Sequence, residues 1–393
     1  MDLLNALRNR LWPESGAEPG QETDGGVTAA AAAERGQELR VLMMPDSTAA
    51  NPYQRRLVEG LRAAGVGVTL VNPAGRLPLL TAARGPARPD VVHLHWTHAL
   101  VLGRSLPRSL LKSARFLLEL AVLRWRGIRV VWTAHNLVEH ERRFPRLELA
   151  VGRAAARLYN RIIVHCEAAG DIIARAYGMD GAARQRLSAV PHGHFIGVYD
   201  DTLDRADARR QVGVERGAPV FAHIGQIRPY KGVFDLLDAF ARLHHPAARL
   251  VIAGKPWNGR LAAELQRRAQ RDERIRLFLG FVPDEHMQTY LRAADAVVLP
   301  YRDILTSGSA MLGMSFARAV IMPRCGCAAQ MLGDAGPLLY DPADPEGLDH
   351  ALAAATADVD LDAVGRANLE RARRFSWEGI ATATVRAYRG EPA

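Results

Sequence analysis

The sequence predicts an α/β protein built from two doubly wound, parallel-sheet (Rossmann-like) domains that face a cleft. The chain has 393 residues, which exceeds the size of one typical hydrophobic core, so two domains are expected. Short apolar runs alternate with helical stretches and none is followed by a hairpin turn, a pattern typical of parallel strands joined by helical crossovers. The alternation starts again after "VPHGHF", which places the join between the halves at about residues 193–217.

Four segments are expected along the chain. The stretch 14–38 is rich in Gly, Ala and Glu and poor in large apolar side chains, so it predicts a flexible leader, and the first 13 residues form either a short amphipathic helix or a frayed terminus. The predicted segments are a leader (1–38), a first domain (39–195), a second domain (196–375) and a C-terminal helix that crosses back to the first domain (376–393).

Each predicted strand of the first half is a short apolar run. The run "LRVLMMPD" (39–46) comes first, and a helix over residues 51–65 follows it and stops at Gly65. Further strands are predicted at "GVTLVNP", 89–96, 128–136, 161–167 and 187–193.

The second half repeats the pattern. Its strands are predicted at 219–225, 248–254, 275–280, 296–301, 319–324 and 336–340. Because ligands of open parallel sheets bind beyond the carboxyl ends of the strands, functional residues are expected where these runs end.

Composition and charge narrow the function classes. The net charge is +9 and the pI is about 9.9, which suits nucleic acid, anionic lipid or phosphorylated substrates, but no nucleic-acid-binding motif is present and no nucleic-acid partner is expected. No secretory signal or membrane-spanning stretch is recognised, so we expect a cytoplasmic protein. Cys166, Cys325 and Cys327 offer no disulfide framework and no paired metal-ligand set, and they are expected to be reduced packing residues.

The stretch "HIGQIRPYKGVFDLLDAF" (223–240) predicts a diphosphate site. Gly225 ends a strand and allows a sharp turn, Arg228 and Lys231 supply positive charge, and the helix that begins near Gly232 presents free N–H groups. The alternative is a loop with two solvated cations.

A second anion site is predicted at a neighbouring strand end. Thr306, Ser307, Gly308 and Ser309 directly precede an apolar helical run and can present backbone N–H and hydroxyl donors at the helix start. Alone, this pattern favours an ordinary helix cap with a flexible turn, but together with the Arg228 and Lys231 loop it favours a polyphosphate.

Histidines follow two strands of the first half, in "HLHWTH" (93–98) and "TAHNLVEHE" (133–141). His95 and His135 are expected to face the cleft, where imidazole can orient a sugar hydroxyl or take its proton. His93 is expected to be a buried strand residue. A metal site is the less favoured interpretation, because no HExxH or comparable spacing is present.

The stretch 104–127 predicts a basic amphipathic helix. Its leucines and alanines recur at helical spacing, and Arg108, Lys112 and Arg115 are among its cations. Such a helix can lie on an anionic membrane surface or contact the acceptor, or it can be a crossover helix packed on the sheet with solvated arginines.

Several stretches carry a family resemblance that covers most of residues 39–390. "GQIRPYKGVFDLLDAFARL", "ARLVIAGKP", "IRLFLGFVPDEHMQTYLRAADAVVLPYRD" and "FSWEGIA" resemble the C-terminal half of GT-B glycosyltransferases of the family 4 type, and "VVHLHW" and "TAHN" resemble the matching N-terminal strand ends. The resemblance implies a nucleotide-sugar donor held mainly by the second domain and an acceptor held by the first. It implies no other cofactor and no metal.

The resemblance also implies roles for particular residues. Lys231 matches the family's diphosphate-binding lysine, Arg228 substitutes for an arginine that Gln226 replaces, and His135 matches a histidine near the donor sugar. For the nucleotide base or ribose it points to the "GFVPD" loop and one nearby acid, which are Gly280, Phe281, Val282 and Asp303.

One departure from the family pattern stands out. Where the family carries two glutamates eight positions apart, this chain has Ile304 and Leu312. The stretch "DILTSGSAMLGMSFARAVI" is similar instead to bacterial β-mannosyltransferases that build lipid-linked exopolysaccharide, which leaves retaining and inverting stereochemistry both open. For an inverting reaction His135 or Asp46 is the expected base, with His95 behind them.

The leading expectation is a hexosyltransferase that moves a sugar from GDP-mannose or a UDP-hexose to an acceptor hydroxyl. The acceptor is a lipid-linked saccharide, which would place the protein peripherally on the inner face of the cell membrane, or a soluble natural product of the aminoglycoside type. Two further classes stay open, a sugar-nucleotide 2-epimerase and a non-catalytic protein that binds a nucleotide or a partner protein.

Overall fold

The computed structural model describes residues 38–49, 51–85, 88–139, 143–333 and 336–391. The predicted leader and the short helix at its start lie outside these residues, except for Glu38. Two six-stranded sheets organise the described chain, and we call each sheet with its helices a lobe.

The first lobe contains a parallel sheet in the order β2-β1-β3-β4-β5-β6. Its strands are β1 (Arg40–Met44), β2 (Gly67–Leu70), β3 (Val91–Leu94), β4 (Arg129–Thr133), β5 (Arg161–Val164) and β6 (Leu187–Ala189). The central strand β3 is buried along its whole length, as expected for a parallel sheet covered by helices on both faces.

Helices connect these strands, and the first of them begins with a proline and a capping side chain. Pro52 opens the first helix, and the side chain of Asn51 accepts a hydrogen bond from the Tyr53 N–H group. The helices are α1 (Pro52–Ala63), α2 (Pro78–Ala82), α3 (His98–Val101), α4 (Leu106–Trp125), α5 (Pro145–Ala156), α6 (Glu167–Tyr177) and α7 (Gly181–Arg184).

The second lobe repeats this architecture with the order β12-β11-β10-β7-β8-β9, again parallel. Its strands are β7 (Val220–Ile224), β8 (Arg249–Gly254), β9 (Ile275–Leu279), β10 (Ala296–Val298), β11 (Ala319–Pro323) and β12 (Leu339–Tyr340). The two sheets confirm the predicted fold class.

Helices α8 to α15 surround the second sheet, and α16 ends the described chain. They are α8 (Arg205–Gln211), α9 (Val233–Arg242), α10 (Gly259–Ala269), α11 (Met287–Ala293), α12 (Gly308–Ser315), α13 (Ala328–Leu332), α14 (Gly347–Ala357), α15 (Leu361–Arg373) and α16 (Trp377–Arg389). Single 3-10 turns occupy Pro229–Lys231, Asp284–His286 and Gly336–Leu338.

Helix α16 leaves the second lobe and packs against the first. The Tyr388 hydroxyl lies 2.7 Å from Nδ1 of His93 on β3, and the Trp377 indole donates to the carbonyl oxygen of His194 at 2.7 Å. His93 is fully buried, as expected, and its Nε2 lies 2.7 Å from the Thr133 hydroxyl, so its two ring nitrogens have buried partners on α16 and on β4.

The expectation of three reduced cysteines is wrong. Cys166, at the start of α6, and Cys327, at the start of α13, form a disulfide with Cα atoms 5.6 Å apart. The two residues are 161 positions apart in sequence, and only the packing of one lobe against the other brings these helix starts together. Cys325 remains a free thiol.

Candidate active site

A cavity of about 390 Å³ lies between the lobes, beyond the carboxyl ends of β7 and β10. Its described lining combines aromatic and hydroxyl side chains with one lysine, Lys231, and contains no carboxylate. A ligand that enters this cavity therefore meets positive charge and hydrogen-bond donors without an opposing anion. We call it the donor cavity.

Lys231 and Ser309 converge on one point in the donor cavity. Gly225 adopts φ +114°, and a Cβ atom placed on it would lie 3.5 Å from Nζ of Lys231 and 3.8 Å from Oγ of Ser309. The side chain of Lys231 is only 9% exposed. Glycine after the end of β7 thus leaves open the space near Lys231, which lies in a 3-10 turn, and Ser309, which lies at the start of α12.

The start of α12 contributes further donors to the donor cavity. Ser307 caps the helix by accepting a hydrogen bond from the Ala310 N–H group at 3.0 Å, and Gly308 opens the first turn. The Thr306 hydroxyl is buried and has no hydrogen-bond partner among the described residues. Thr306, Ser307, Gly308 and Ser309 all line the cavity, so the structure brings together the two anion sites predicted separately from the sequence.

Arg228 lies apart from Lys231. Its guanidinium stacks on the Trp257 ring, 3.8 Å from the ring centroid, and donates to the Gln226 side chain. It lines a second cavity, described below, and is not among the residues of the donor cavity. A 3-10 turn over Pro229–Lys231 follows Arg228, and the two cations line different cavities.

The residues expected to hold the nucleotide base or ribose lie outside the donor cavity. Gly280, Phe281 and Val282 follow β9, and the Phe281 ring is 78% exposed. Asp303 is exposed as well. Ile304 and Leu312, which stand where the family has glutamates, do line the cavity, so apolar groups replace the expected acids there.

A row of histidines, His95, His135, His165 and His192, follows the carboxyl ends of β3 to β6, and His135 and His192 of this row line the donor cavity. Nδ1 of His165 lies 3.0 Å from the Val190 carbonyl oxygen, Nε2 of His165 lies 3.4 Å from Nδ1 of His135, and Nε2 of His135 lies 3.0 Å from Nδ1 of His95. A carbonyl oxygen can only accept, so Nδ1 of His165 carries its proton and Nε2 must accept from His135. Nδ1 of His135 therefore carries the proton that it donates to His165, and Nε2 of His135 accepts from Nδ1 of His95. Nε2 of neutral His95 then has no proton and can only accept a hydrogen bond.

The environment keeps this imidazole chain neutral. Burial lowers the pKa of His95 and of His135 well below the usual histidine value, and the neighbouring imidazoles lower both further. Burial also lowers the pKa of His165 to about 4. Nε2 of His95 is buried and has no hydrogen-bond partner among the described residues. The chain therefore presents an unprotonated nitrogen near neutral pH.

Asp46 does not reach either cavity. Its Oδ1 accepts hydrogen bonds from the Thr48 N–H group at 3.0 Å and the Thr48 hydroxyl at 2.7 Å, and these bonds lower the pKa of the carboxyl group. The structure thus shows a carboxylate that stabilises its own turn, and we do not retain Asp46 as a candidate base.

The long helix α4 buries one face and exposes most of the leucines noted in the sequence. Its buried face carries Ser109, Ser113, Phe116, Glu119, Leu120 and Leu123. Its exposed large hydrophobic side chains are Leu106 (48%), Leu110 (51%), Leu111 (72%), Leu118 (59%) and Trp125 (56%).

Two of the three cations singled out on α4 have internal partners. Lys112 donates to the carbonyl oxygens of Ala99 and Leu102 at 2.5 and 2.6 Å, and Arg115 donates to the carbonyl oxygen of Leu100 at 3.1 Å. They therefore satisfy the C-terminal carbonyl groups around α3. Arg108 is exposed.

Neither a metal-binding cluster nor a membrane-spanning helix occurs among the described residues. No group of three or more His, Cys, Asp or Glu side chains within them is arranged to hold a metal ion, and metal independence stays a prediction. Across the same residues, no helix is both long and apolar enough to cross a bilayer.

Some residues of the site were not identified from the sequence. His165 and His192 stand at the ends of β5 and β6, so the recurrence of histidine after successive strands was a usable signal. Tyr53 lies on α1 within 5.5 Å (ring centroids) of the His135 and His165 rings, and only the folded chain reveals this contact.

The chain matches two family models. Residues 218–358 match the model described as "Glycosyl transferases group 1", and residues 27–194 match "Glycosyltransferase Family 4". A relative from Xanthomonas campestris pv. campestris, named GDP-mannose:glycolipid 4-beta-D-mannosyltransferase, is 31% identical over 79% of this chain and 80% of its own length. D-inositol 3-phosphate glycosyltransferase from Kribbella flavida is 27% identical over 87% of this chain and 80% of its own length.

Solved structures share the fold. Sucrose-phosphate synthase from Thermosynechococcus elongatus superposes with a TM-score of 0.72 at 19% identity, covering 90% of this chain and 98% of that one. Anabaena HepE, solved in complex with UDP, superposes with a TM-score of 0.68 at 16% identity, covering 89% and 98% of the two chains.

Proposed function

Because the chain belongs to the family 4-type, GT-B glycosyltransferases, we propose that it transfers a hexosyl group from a nucleoside-diphosphate sugar to an acceptor hydroxyl in the cleft between its lobes. The observation that carries this proposal is the convergence of Lys231 and Ser309 on the open space at Gly225. GDP-mannose is the first donor to test, because the Xanthomonas relative is named for it.

The donor cavity suits the departing diphosphate. When the bond between C1 of the sugar and the diphosphate oxygen breaks, that oxygen keeps the electron pair and gains negative charge. The Lys231 ammonium and the N–H groups at the start of α12 would stabilise this charge, and the absence of carboxylates among the described lining residues avoids opposing it.

We assign the opposite wall to the acceptor. In an inverting transfer the attacking hydroxyl forms the new bond to C1 and loses its proton to a base. His95 is the candidate base, because it lines the second cavity and its Nε2 is the acceptor left without a partner at the end of the imidazole chain. His135 and His165 would act as positioning residues that hold His95 in this tautomer, as a carboxylate does in other catalytic chains.

We further propose that α4 docks on an anionic bilayer, which favours a lipid-linked acceptor over a soluble one. Leu110, Leu111 and Leu118 expose apolar surface on one side of the helix, Arg108 lies among them, and the whole chain carries a net charge of +9. Phe116, on the buried side of the same helix, lines the second cavity, the one that Arg228 also lines, so the docked face and this cavity share one helix.

A nucleotide screen tests the donor assignment. Thermal unfolding would be measured with GDP, UDP and dTDP, since a ligand that binds only the folded state raises the midpoint. One nucleotide should raise it clearly, and the matching nucleotide sugar should be hydrolysed slowly without an acceptor. No shift with any of the three nucleotides, and no hydrolysis, would refute the proposal.

A liposome assay tests the docking of α4. The double substitution Leu111→Gln and Leu118→Gln should abolish sedimentation with phosphatidylglycerol vesicles while leaving the unfolding midpoint unchanged, because both side chains are exposed. Leu77→Gln is the matched control, since Leu77 is also an exposed leucine (37%) but lies outside α4. Equal sedimentation of all variants would contradict the docking proposal.

A further inference from the structure

A second cavity of about 310 Å³ lies in the first lobe, between α4, α5 and the carboxyl ends of β3 and β4. We call it the acceptor-side cavity. It meets the donor cavity at residues that line both, which are Trp96, His135, Asn136, Gln226 and Tyr230. A group bound in one cavity would therefore lie next to a group bound in the other.

Aromatic side chains form much of the wall of the acceptor-side cavity. Trp132, Tyr159 and Tyr177 line it, and the Trp132 ring stacks on Tyr159 with centroids 5.5 Å apart. Gly152 on α5 allows Tyr177 to lie against the helix, because a Cβ at that position would meet the Tyr177 ring at 2.6 Å. Flat aromatic surfaces of this kind suit the apolar faces of a sugar ring.

Glu148, in the first turn of α5, brings a carboxylate into this cavity. Its Oε1 accepts a hydrogen bond from the Glu139 N–H group at 2.9 Å, whereas its Oε2 is buried with no hydrogen-bond partner among the described residues. Burial raises the pKa of Glu148, as expected for a partly desolvated carboxyl group. A buried acceptor without a partner is costly, and a ligand that donates a hydrogen bond removes that cost.

Among the described residues that line this cavity, two buried side-chain atoms lack hydrogen-bond partners, and both are acceptors. Oε2 of Glu148 accepts, and Nε2 of His95 accepts because of the tautomer set by Val190. A ligand that satisfies both must donate, as hydroxyl or ammonium groups do. The donor cavity instead offers hydrogen-bond donors, which are Lys231 and the N–H groups at the start of α12. The donor cavity therefore suits the anionic diphosphate, and the acceptor-side cavity suits a ligand that donates hydrogen bonds.

We propose that the acceptor-side cavity binds the accepting sugar ring, and that Glu148 sets acceptor affinity by taking a hydrogen bond from a hydroxyl or amino group beside the attacking hydroxyl. The inference rests on the proposed transferase function and adds the chemical class that the first lobe recognises. Neutral and amino sugars share the required hydrogen-bond donors, and the experiment below separates them.

Kinetics with octyl glycosides test this assignment. Transfer from GDP-mannose, or from whichever nucleotide sugar the screen selects, would be measured with octyl β-D-glucopyranoside and with its 2-amino-2-deoxy analogue. Glu148→Gln keeps the oxygen that accepts from Glu139 but removes the charge. It should raise the acceptor KM about 10- to 100-fold, the usual loss for a hydrogen bond to a charged group, while kcat and donor hydrolysis stay close to wild type.

The control is Glu167→Gln, which alters an exposed glutamate in the first turn of α6 in the same lobe and should leave both constants unchanged. A larger loss with the amino glycoside than with the glucoside would identify an ammonium partner, and equal losses a hydroxyl partner. Either result supports the site.

Any of three results would overturn the proposal that Glu148 and the acceptor-side cavity bind the accepting sugar. An unchanged acceptor KM in Glu148→Gln, or a fall in kcat alone, removes Glu148 from acceptor binding. Wild-type protein that hydrolyses the donor but transfers to neither glycoside removes the sugar assignment. Protein that neither binds nor hydrolyses any nucleotide sugar would instead refute the underlying transferase proposal, and the hydrolysis measurement distinguishes that failure from the others.

Discussion

Substitution of Lys231 by methionine tests the charge on which the proposed chemistry depends. Methionine keeps roughly the length of the lysine side chain but removes the ammonium group. The side chain is 9% exposed and its Nζ lies in the space that Gly225 leaves open, so the variant changes charge inside the donor cavity with little change in surface.

The magnitude follows from the geometry. A charge about 4 Å from a phosphate oxygen contributes roughly 4 kcal/mol at an effective dielectric constant near 20, and part of this is already present in the bound ground state. Loss of one preorganised contact to a developing anion typically costs about 10²–10³ in turnover. We therefore expect Lys231→Met to lower kcat by about two to three orders of magnitude.

The assay is single-turnover release of the nucleoside diphosphate from the donor, with the unfolding midpoint as a check on folding. Lys255→Met is the matched control, because Lys255 is an exposed lysine in the same lobe and should be neutral on substitution. A Lys231→Met protein that folds normally and releases diphosphate at the wild-type rate would show that the cavity does not hold the leaving group.

Three further predictions follow from the same structure. Gly225→Ala should weaken nucleotide binding and destabilise the fold by about 1 kcal/mol, because φ is +114° and the methyl group would occupy the donor cavity; an unchanged nucleotide-induced thermal shift would contradict this. Thiol labelling of unfolded protein should detect one of the three cysteines before reduction and all three afterwards. The partners of the Cys166–Cys327 bond are 161 residues apart, so reducing the bond should lower the free energy of unfolding by about 5 kcal/mol through loop entropy, as measured by urea unfolding with and without reductant. Burial lowers the pKa of His165 and of His223 to about 4, so between pH 6.5 and 4 the unfolded chain binds protons that the folded chain does not. The free energy of unfolding should therefore decrease as the pH is lowered through this range, by about 1–2 kcal/mol per histidine at pH 5. An unfolding midpoint that does not change between pH 7 and pH 5 would refute this prediction.

Much of the fold could be predicted because its signals are local. A buried strand such as β8 is a continuous apolar run, and the glycine or proline that ends it is visible in the same few residues. The parallel arrangement follows from the helical lengths between such runs. The candidate anion-binding loops were predicted for the same reason, since Lys231 and Ser307 each lie in the short segment between a strand and the next helix.

The partners of particular side chains could not be predicted, because they depend on the turns and on long-range packing. The loop with Arg228 and Lys231 looks like one cationic motif in sequence, yet the two cations line different cavities. No sequence motif surrounding Glu148 predicts a binding role. The folded chain makes it a candidate, because α5 places it in the cavity that His95 also lines.

The sequence by itself determined the two parallel sheets and the strand ends that face the cleft, because hydrophobic periodicity and the glycine and proline residues that end strands and helices are visible within a few residues. Only the tertiary structure decided which charges share a cavity, which face of α4 meets solvent and which cysteines meet. Those outcomes depend on how crossover helices and lobes pack across more than a hundred residues of chain, as the separation of 161 positions between Cys166 and Cys327 illustrates.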